Sequence, residues 1–303
     1  MREGRSASIH SQVGLLLLVI VTAGCGGTAS PSADATTTQT ASTGPGSSRE
    51  PSPGASGLEA ELVTAGRLTY CTNLRPGRMG FRDENGEPAG VNIELAQEIA
   101  VRLGLEPEIR ETPFEDLIDD VADGTCDMSI SSQHITQTRL ARIDMLPYTQ
   151  GVQHVVVQAG NPAGIVQLTD LCGKVLAVQT GSTHVDLVLG QGDHSGAGID
   201  RDCVAASQPK VDLSEFDDDA DAIEALADGS ADAYIGSDTI TVDRPTEFDL
   251  ATALPPIRNG IGLPKDHPAL QAAVHGAFQA MIDDGSYQAI LEQFGVGDNS
   301  IAN

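Results

Sequence analysis

Strand-like and helix-like patterns alternate along the chain between residues 66 and 131. The strand-like segments are 68–72, 108–110 and 128–131, and the amphipathic segments with helical spacing are 92–103 and 114–122. This alternation is typical of a parallel sheet with helices packed on its faces. Ligands of such sheets bind beyond the carboxyl ends of the strands, so we predict an α/β lobe with a binding site at that edge.

A polar stretch follows the strand at 128–131 and leads into a short helix. Ser132 and His134 lie in a predicted loop, Thr136 is placed to cap the helix, and Arg139 follows three residues later. A strand end, a polar loop and a helix start that carries an arginine would together form a receptor for a carboxylate. The alternative is a surface loop with a solvated arginine, and the pattern alone leaves both open.

A second set of strand-like segments occupies residues 152–158, 174–179 and 231–236. The strand at 174–179 leads directly into residues 180–183 at a helix start, where free backbone N–H groups suit an anion. The strand at 231–236 delivers Asp238 to its end, and a carboxylate there can pair with an ammonium group. A plain helix cap is the alternative at both places.

The last part of the chain returns towards the first lobe. Residues 260–264 are extended, Pro268 begins an amphipathic helix, and a final helix follows Asp284 and Gly285. A chain that builds one α/β lobe, crosses to a second and crosses back forms two lobes joined by two strands. We therefore predict a cleft that closes by hinge motion.

The charge of the chain excludes some classes of partner. It contains 43 Asp or Glu against 17 Lys or Arg, which gives a formal net charge of −26. Such a surface repels phosphate backbones, so we expect no binding to nucleic acid. The acidic residues are spread through the whole chain and identify no partner by themselves.

The N-terminal segment has the pattern of an export signal. Arg2 and Arg5 precede an apolar stretch at residues 13–23 that is too short to span a bilayer as a helix. The small residues before Cys25 resemble the lipobox of bacterial lipoproteins, which implies cleavage before Cys25 and lipidation of that residue. An ordinary cleavage site beside a chance cysteine is the alternative. We predict a signal peptide over residues 1–24 and a disordered tether over residues 25–57, which has few side chains that could be buried.

The assembled pattern resembles the family 3 extracellular solute-binding proteins, the receptors of polar amino acid ABC importers. The matching blocks are 90–96, Ile135 and Thr136 with Arg139, 143–144 with 147–148, 173–174 with 178–183, 231–233 and 284–287. The resemblance implies an α/β, two-lobed periplasmic-binding-protein-like fold of type II. It places lobe 1 at residues 58–150 plus 258–303, lobe 2 at residues 151–257, and hinge linkers near 148–151 and 255–260.

The resemblance also implies roles for individual residues. It assigns Arg139 to the α-carboxylate of the ligand, Asp238 to the α-ammonium group and Phe114 to an aromatic wall. The remaining positions that it places at the ligand are Ser132, His134, Gln179, Ser182, Thr183 and Asn73. It implies no cofactor and no metal.

Three positions depart from the family pattern. Asn73 replaces the usual Asp, Pro76 replaces the usual aromatic residue, and His134 replaces a usual Ser or Thr. Arg75 and Arg78 add positive charge in the same region. Our hypothesis is that the ligand carries a second anionic or strongly polar group, as glutamate, aspartate or glutamine does. The alternative is that both arginines face solvent.

Four cysteines beyond Cys25 allow three pairings, which suits an oxidising compartment. Cys71 and Cys126 lie in the first lobe near strands expected to be neighbours, and Cys172 and Cys203 lie in the second. We predict these two disulfides. A zinc site is disfavoured because the chain has no CxxC or clustered Cys/His spacing.

The predicted function is that of a receptor and not of an enzyme. The protein would be a monomer, lipid-anchored to the outer face of the cell membrane, that passes a small polar amino acid to an ABC permease. A ligand sensor would use the same site residues, so this alternative stays open. A dehydratase-like or cell-wall enzyme is the other alternative, although no catalytic constellation or metal motif stands out in the sequence.

Overall fold

The computed structural model describes residues 53–237 and 239–302. The predicted signal peptide, Cys25, most of the predicted tether and Asp238 lie outside these residues. The first helix begins at Pro53, so the last residues of the segment predicted as a tether, 53–57, are helical. Leu58, in the same helix, packs against the core of the first lobe. No helix in the described part of the chain is both long and apolar enough to cross a membrane.

Strands and helices alternate through most of the described chain. The strands are β1 Arg67–Thr72, β2 Phe81–Arg82, β3 Pro88–Ala89, β4 Glu106–Glu111, β5 Met128–His134, β6 Asp144–Gly151, β7 Gln153–Gln158, β8 Val175–Gln179, β9 Asp212–Phe216, β10 Ala233–Ser237, β11 Phe248–Ala253 and β12 Ile257–Leu263. The helices are α1 Pro53–Glu61, α2 Val91–Leu103, α3 Leu117–Ala122, α4 Gln137–Leu140, α5 Thr183–Leu189, α6 Ile199–Ala205, α7 Asp219–Ala227, α8 Thr239–Asp243, α9 Pro268–Asp283 and α10 Ser286–Gln293.

Ten of these strands form two mixed sheets of five strands each. The first sheet has the order β4-β1-β5-β12-β6, and the second has the order β11-β7-β10-β8-β9. In the first sheet β1 is parallel to β4 and to β5, as the alternating pattern predicted, while β12 is antiparallel to both β5 and β6. In the second sheet β8 is parallel to β9 and β10, and β7 is antiparallel to β10 and β11.

The chain passes between the sheets twice. It leaves the first sheet after β6 ends at Gly151 and enters the second at Gln153, and it returns between Ala253 at the end of β11 and Ile257 at the start of β12. We call the part built on the first sheet the first lobe and the part built on the second sheet the second lobe. The predicted α/β two-lobed fold of type II is confirmed, whereas the residue limits given for the lobes remain predictions.

Apolar residues at helical and strand spacing form the cores of the lobes. In the first lobe α2, α9 and α10 pack on one face of the sheet, and their buried side chains include Ile93, Val274 and Leu291. In the second lobe separate clusters around Val178 and Leu226 cover the two faces of the sheet. Burial of such side chains is the main stabilising contribution to both lobes.

Two helix ends differ in how well the sequence predicted them. Gly104 ends α2 in the left-handed conformation at φ 71°, as expected of a glycine after a helix. Asn92, in contrast, does not cap α2, because the helix begins at Val91 behind Gly90. Asn92 is buried and its Oδ1 accepts a hydrogen bond from the Tyr148 hydroxyl at 2.6 Å.

Two disulfides are present, one in each lobe. Cys71 is bonded to Cys126, and Cys172 is bonded to Cys203. The first joins β1 to the residues just before β5, and the second joins the residues just before β8 to α6. These are the two pairings that the sequence predicted, and each cross-link restricts the unfolded chain within one lobe.

Candidate functional site

A cavity lies at the junction of the two lobes. Its empty volume is about 1020 Å³, including the part that is open to solvent. The first lobe contributes Arg75, Phe114, Ser132, His134 and Arg139 to its lining, and the second contributes residues from β8, α5, α7, β10 and α8. A cavity lined by both lobes is the expected location for a ligand of a hinged two-lobed protein.

The end of β5 delivers the first group of site residues. Ser132 is buried and has a positive φ of 52°, which a serine rarely adopts. Its backbone N–H donates to the Tyr148 hydroxyl at 2.9 Å, and Tyr148 in turn donates to Asn92. This buried chain of hydrogen bonds holds the strand end in place. The polar run 132–134 therefore belongs to the strand and is not the loop that the sequence predicted.

Arg139 lies in α4, directly after β5. The Thr136 hydroxyl accepts a hydrogen bond from the Arg139 backbone N–H at 3.1 Å, which confirms the predicted cap. The guanidinium donates to the carbonyl oxygens of His134 at 3.0 Å and Gly181 at 3.2 Å, so it contacts both lobes. Burial lowers the pKa of Arg139 to about 10, and the group remains charged at neutral pH. Among the described residues these two bonds leave three of its five N–H groups for other acceptors.

Phe114 lies close to two guanidinium groups. Its ring centroid is 5.8 Å from Cζ of Arg75 and 5.7 Å from Cζ of Arg139. Both distances lie in the range of cation–π contacts. None of the ion pairs within the described residues involves either arginine. Arg75 therefore lines the cavity and is not directed into bulk solvent, which was the alternative that the sequence left open.

Arg78 has a different role from Arg75. It also lines the cavity, but its guanidinium forms an ion pair with Asp243 of α8 at 3.1 Å and donates to the Phe294 carbonyl oxygen at 3.2 Å. A carboxylate of the second lobe thus balances its charge. Arg78 links the lobes at the edge of the cavity and is less available to a ligand than Arg75.

The end of β8 and the start of α5 line the facing wall. Gln179, Ser182 and Thr183 are all buried and line the cavity. Within the described part of the chain, the Ser182 Oγ and Gln179 Oε1 atoms have no hydrogen-bond partner. Thr183 Oγ1 lies 2.6 Å from Nδ1 of His134 in the first lobe. Buried polar atoms without a partner in the protein are places where a ligand can bond.

Two histidines meet in the cleft. His134 and His184 have ring centroids 5.7 Å apart in an edge-to-face arrangement. Burial lowers the pKa of His184 to about 3, with further lowering by the charges of Arg75 and Arg139. Burial also lowers the pKa of His134 well below its usual value, and His184 and Arg139 add to this effect. Both rings are therefore neutral at neutral pH. The sequence did not point to His184, because it lies among ordinary helix residues.

Asn73 is placed differently from the other residues predicted to contact the ligand. Its Oδ1 accepts a hydrogen bond from Gln179 Nε2 at 2.9 Å, and its Nδ2 donates to the Thr112 carbonyl oxygen at 3.2 Å. Asn73 is not among the residues that line the cavity. It instead joins the first lobe to β8 of the second and orients the Gln179 amide.

Asp219 and Tyr234 are lining residues that the sequence did not single out. Asp219 is the first residue of α7 and is buried, and both of its carboxylate oxygens are within 2.9 Å of the Tyr234 hydroxyl on β10. Burial raises the pKa of Asp219, while the charge of Arg75 acts in the opposite direction. In the sequence Asp219 is one of four aspartates within residues 217–221, and nothing in that pattern separates it from its neighbours.

Comparison with known proteins assigns the family. The sequence model of the bacterial extracellular solute-binding proteins, family 3, matches residues 68–297. The chain belongs to this family. The predicted resemblance to the family 3 solute-binding proteins is confirmed over nearly the whole described body.

Relatives of this solute-binding protein are amino-acid-binding proteins. The L-cystine-binding protein TcyJ of Escherichia coli K12 is 26% identical over 220 residues, which cover 71% of this chain and 77% of TcyJ. The glutamate-binding protein GluB of Corynebacterium efficiens is 27% identical over 268 residues, which cover 82% of this chain and 85% of GluB. The solved structure of an ancestral arginine-binding protein bound to arginine is 28% identical with a TM-score of 0.67, covering 76% of this chain and 98% of that protein.

Proposed function

We propose that this solute-binding protein is the lipid-anchored receptor of an ABC importer for an acidic amino acid, with glutamate or aspartate favoured and glutamine next. The relatives bind different amino acids, among them cystine, glutamate and arginine, so they support the class of ligand and leave its side chain open. The choice within that class rests on the cavity of this chain.

One observation carries the choice of an acidic ligand. Arg75 and Arg139 lie near the same Phe114 ring, both line the cavity, and no carboxylate of the described residues forms an ion pair with either. A partly buried cation gains from a carboxylate that binds beside it, since burial makes an uncompensated charge costly. Two unpaired guanidinium groups therefore favour a ligand with two carboxylates.

The same observation disfavours a basic ligand. An arginine or lysine side chain would bring another cation into a cavity whose lining includes two arginines, Arg75 and Arg139, that form no ion pair with the described residues. Like charges at close range in a partly desolvated site repel strongly. Glutamine would bind more weakly than glutamate, because its amide oxygen can accept hydrogen bonds from Arg75 but does not balance the charge of Arg75.

Two other functions use the same geometry. A sensor that reports the ligand to another protein would share every residue of the cavity, and only the identity of the bound partner separates it from a transport receptor. An enzymatic role has less support, since the named relatives are binding proteins. The neutral pair His134 and His184 lies beside cations, and this arrangement does not indicate a particular reaction.

Further parts of the proposal concern the ends of the chain and its partners. The signal peptide over residues 1–24 and lipid on Cys25 would hold the protein at the outer face of the membrane, near an ABC permease. We also retain the proposed lobes, residues 58–150 plus 258–303 and residues 151–257, and the proposed monomer.

Titration calorimetry of the exported protein against a panel of amino acids tests the proposed ligand. We expect L-glutamate or L-aspartate to bind most tightly, with L-glutamine weaker and L-arginine weaker by at least about a hundredfold, because the basic side chain meets Arg75. Tightest binding to an arginine, lysine or aliphatic amino acid would contradict the proposal.

A conservative variant tests the role of Arg139. Arg139→Lys keeps the charge but loses the forked donor geometry, so we expect the Kd for the preferred ligand to rise by about tenfold to a hundredfold. Arg142→Lys is the matched control, since Arg142 is exposed and pairs with Asp119 on the first lobe. If both variants raise the Kd by the same factor, Arg139 does not bind the ligand.

A further inference from the structure

A small apolar cluster next to the cavity contains the disulfide of the first lobe. Its members are Cys71, Cys126, Leu117 and Phe114. Cys71 and Cys126 are fully buried and bonded to each other, and Phe114 also lines the cavity. The disulfide therefore belongs to the packing that supports the aromatic wall of the cavity.

Phe114 depends on this cluster for apolar support. The cluster is separate from the main core of the first lobe, which includes Ile93 and Val274, and no other buried apolar side chain of the described residues belongs to it. Side chains in such packing have few alternative positions, so a gap left by one member affects the others. The position of the Phe114 ring in turn sets its distances of 5.8 Å from Arg75 and 5.7 Å from Arg139.

The same disulfide contacts a chain of hydrogen bonds that leads to the facing wall. Thr112 is buried, and its Oγ1 lies 3.2 Å from Cys71 Sγ. The Thr112 carbonyl oxygen accepts from Asn73 Nδ2 at 3.2 Å, and Asn73 Oδ1 accepts from Gln179 Nε2 at 2.9 Å. Gln179 belongs to the second lobe and lines the cavity. One covalent bond thus lies beside residues that lead to both walls of the cavity.

The disulfide of the second lobe has different surroundings. Cys203 lies in a large apolar cluster of that lobe, and Cys172 packs against the same cluster. The residues just before β8 and those of α6, which this bond joins, are not among the residues that line the cavity. The two bonds close loops of comparable length, with sequence separations of 31 residues here and 55 residues in the first lobe. Cys172–Cys203 is therefore a matched control within the same protein.

We propose that the Cys71–Cys126 disulfide is a positioning element of the ligand site, which holds Phe114 and the Asn73–Gln179 contact in the arrangement that binds the ligand. This inference rests on the proposed function in that it takes the ligand to be an amino acid, but it does not depend on which one. Loss of the bond should weaken binding, and binding should in turn oppose reduction of the bond, because coupling between two sites is reciprocal.

The first test compares two double variants by titration calorimetry with L-glutamate. Cys71→Ala with Cys126→Ala should raise the Kd by about tenfold, because the ring of Phe114 loses part of its support. Cys172→Ala with Cys203→Ala should change the Kd by less than about twofold. Each double variant loses one cross-link, so urea unfolding should show a lower free energy of unfolding for both. Only the effect on the Kd separates a positioning role from a purely structural one.

The second test uses the wild type and needs no substitution. The protein is equilibrated with reduced and oxidised dithiothreitol, with and without saturating L-glutamate. Reduction breaks the S–S bond and gives two thiols, and the dithiol that supplies both electrons and both protons becomes a cyclic disulfide. Alkylation and mass spectrometry then measure each cysteine pair separately. Glutamate should shift the Cys71–Cys126 equilibrium towards the disulfide by about tenfold and the Cys172–Cys203 equilibrium by less than about twofold.

Failure of the inference is distinguishable from failure of the proposed function. If Cys71→Ala with Cys126→Ala binds as tightly as the wild type or as the control pair, or if the ligand shifts both disulfides equally, the inference is wrong. If that double variant does not fold, the equilibrium in the wild type decides. If the wild type prefers another amino acid, that amino acid replaces glutamate in both tests. If it binds no amino acid, both proposals fall.

Discussion

At the residue scale, two neutral histidines lie beside two cations in the cleft. His134 and His184 lie edge to face, and the cations Arg75 and Arg139 lie close enough to lower both pKa values beyond the effect of burial. Protonation of either ring would place a further positive charge beside two guanidinium groups. The folded state therefore excludes protons from these rings at a pH where an unfolded histidine, with a pKa near 6.5, would accept them.

This difference predicts that proton binding at His184 makes the stability of the protein depend on pH. Below about pH 6.5 the unfolded state binds a proton at residue 184 and the native state does not until about pH 3, so the free energy of unfolding falls as the pH falls. His184→Gln removes the titrating group. We expect the wild type to lose about 2 kcal/mol relative to His184→Gln between pH 7 and pH 5, measured by urea unfolding.

The exposed His275 on α9 gives a matched control for that measurement. His275→Gln makes the same substitution outside the cleft, and its stability is compared with the wild type at the same pH values. If the wild type and His184→Gln lose stability in parallel as the pH falls, or if both variants differ from the wild type in the same way, then His184 is not held neutral by the cleft.

The sequence predicted individual site residues where spacing or resemblance fixed them. Thr136 and Arg139 were found because a cap and an arginine three residues later form a local pattern, and the structure confirms that cap. Asp219 and His184 were not found, since an acidic run and a helix residue look the same whether they face solvent or a cavity. Their burial depends on how two lobes meet, which local patterns do not encode.

At the element scale, the contact between the start of α5 and the turn at Phe114 determines how closely the two lobes approach each other. Gly181 precedes α5 with a positive φ of 72°, and a Cβ atom on it would lie 2.7 Å from Cα and from Cβ of Glu115 in the first lobe. A contact with backbone at that distance cannot be relieved by a change of rotamer. The absence of a side chain at Gly181 is therefore required for this approach of the lobes.

Gly181→Ala should weaken ligand binding by holding the lobes apart. We expect the Kd for the preferred amino acid to rise by at least about tenfold, since the ligand must then bind to a cleft that closes less well. The left-handed backbone adds a stability cost of about 1 kcal/mol. Calorimetry gives the Kd and urea unfolding gives the free energy of unfolding.

Gly164 provides the control for the backbone part of that effect. It also lies in the second lobe at a positive φ, 69°, but a Cβ atom on it would meet nothing within 4 Å. Gly164→Ala should cost a similar amount of stability and leave the Kd unchanged. If both variants bind as tightly as the wild type, the approach of Gly181 to Glu115 is not part of the ligand-bound state.

Some element boundaries were predicted correctly and others were not, and the differences have physical reasons. The strand β5 was expected to end at Ser131, because a run of three polar residues follows, but it continues to His134. Pairing with β12 and the buried Tyr148 hydroxyl supply the hydrogen bonds that keep this polar run in the sheet. Such partners come from distant parts of the chain, so the local pattern underestimates the strand.

Polar contacts between the lobes surround the cavity at the scale of the whole molecule. Asp193 of the second lobe accepts hydrogen bonds from the backbone N–H groups of Gln137 and Thr138 at the start of α4, at 2.7 Å and 2.9 Å. Arg78 pairs with Asp243 on another side of the cleft. Because α4 carries Arg139, contacts that hold it to the second lobe also fix the direction of that arginine.

The overall architecture was predictable from the sequence to a large extent. Alternating strands and helices fixed the α/β class, the crossing and return of the chain implied two lobes, and cysteine positions gave both disulfides. The relative position of the lobes and the partners of Arg75 and Arg78 were not predictable, because side chains of both lobes contribute to one cavity. Charge balance within that cavity, rather than any motif, is the basis for proposing an acidic amino acid.

A crystal structure of the protein bound to L-glutamate tests the central claim most directly. We predict one glutamate in the cavity between the lobes, with one carboxylate on Arg139 and the other within hydrogen-bonding distance of Arg75. A glutamate bound outside this cavity, or inside it with its side-chain carboxylate directed away from Arg75, would contradict the account.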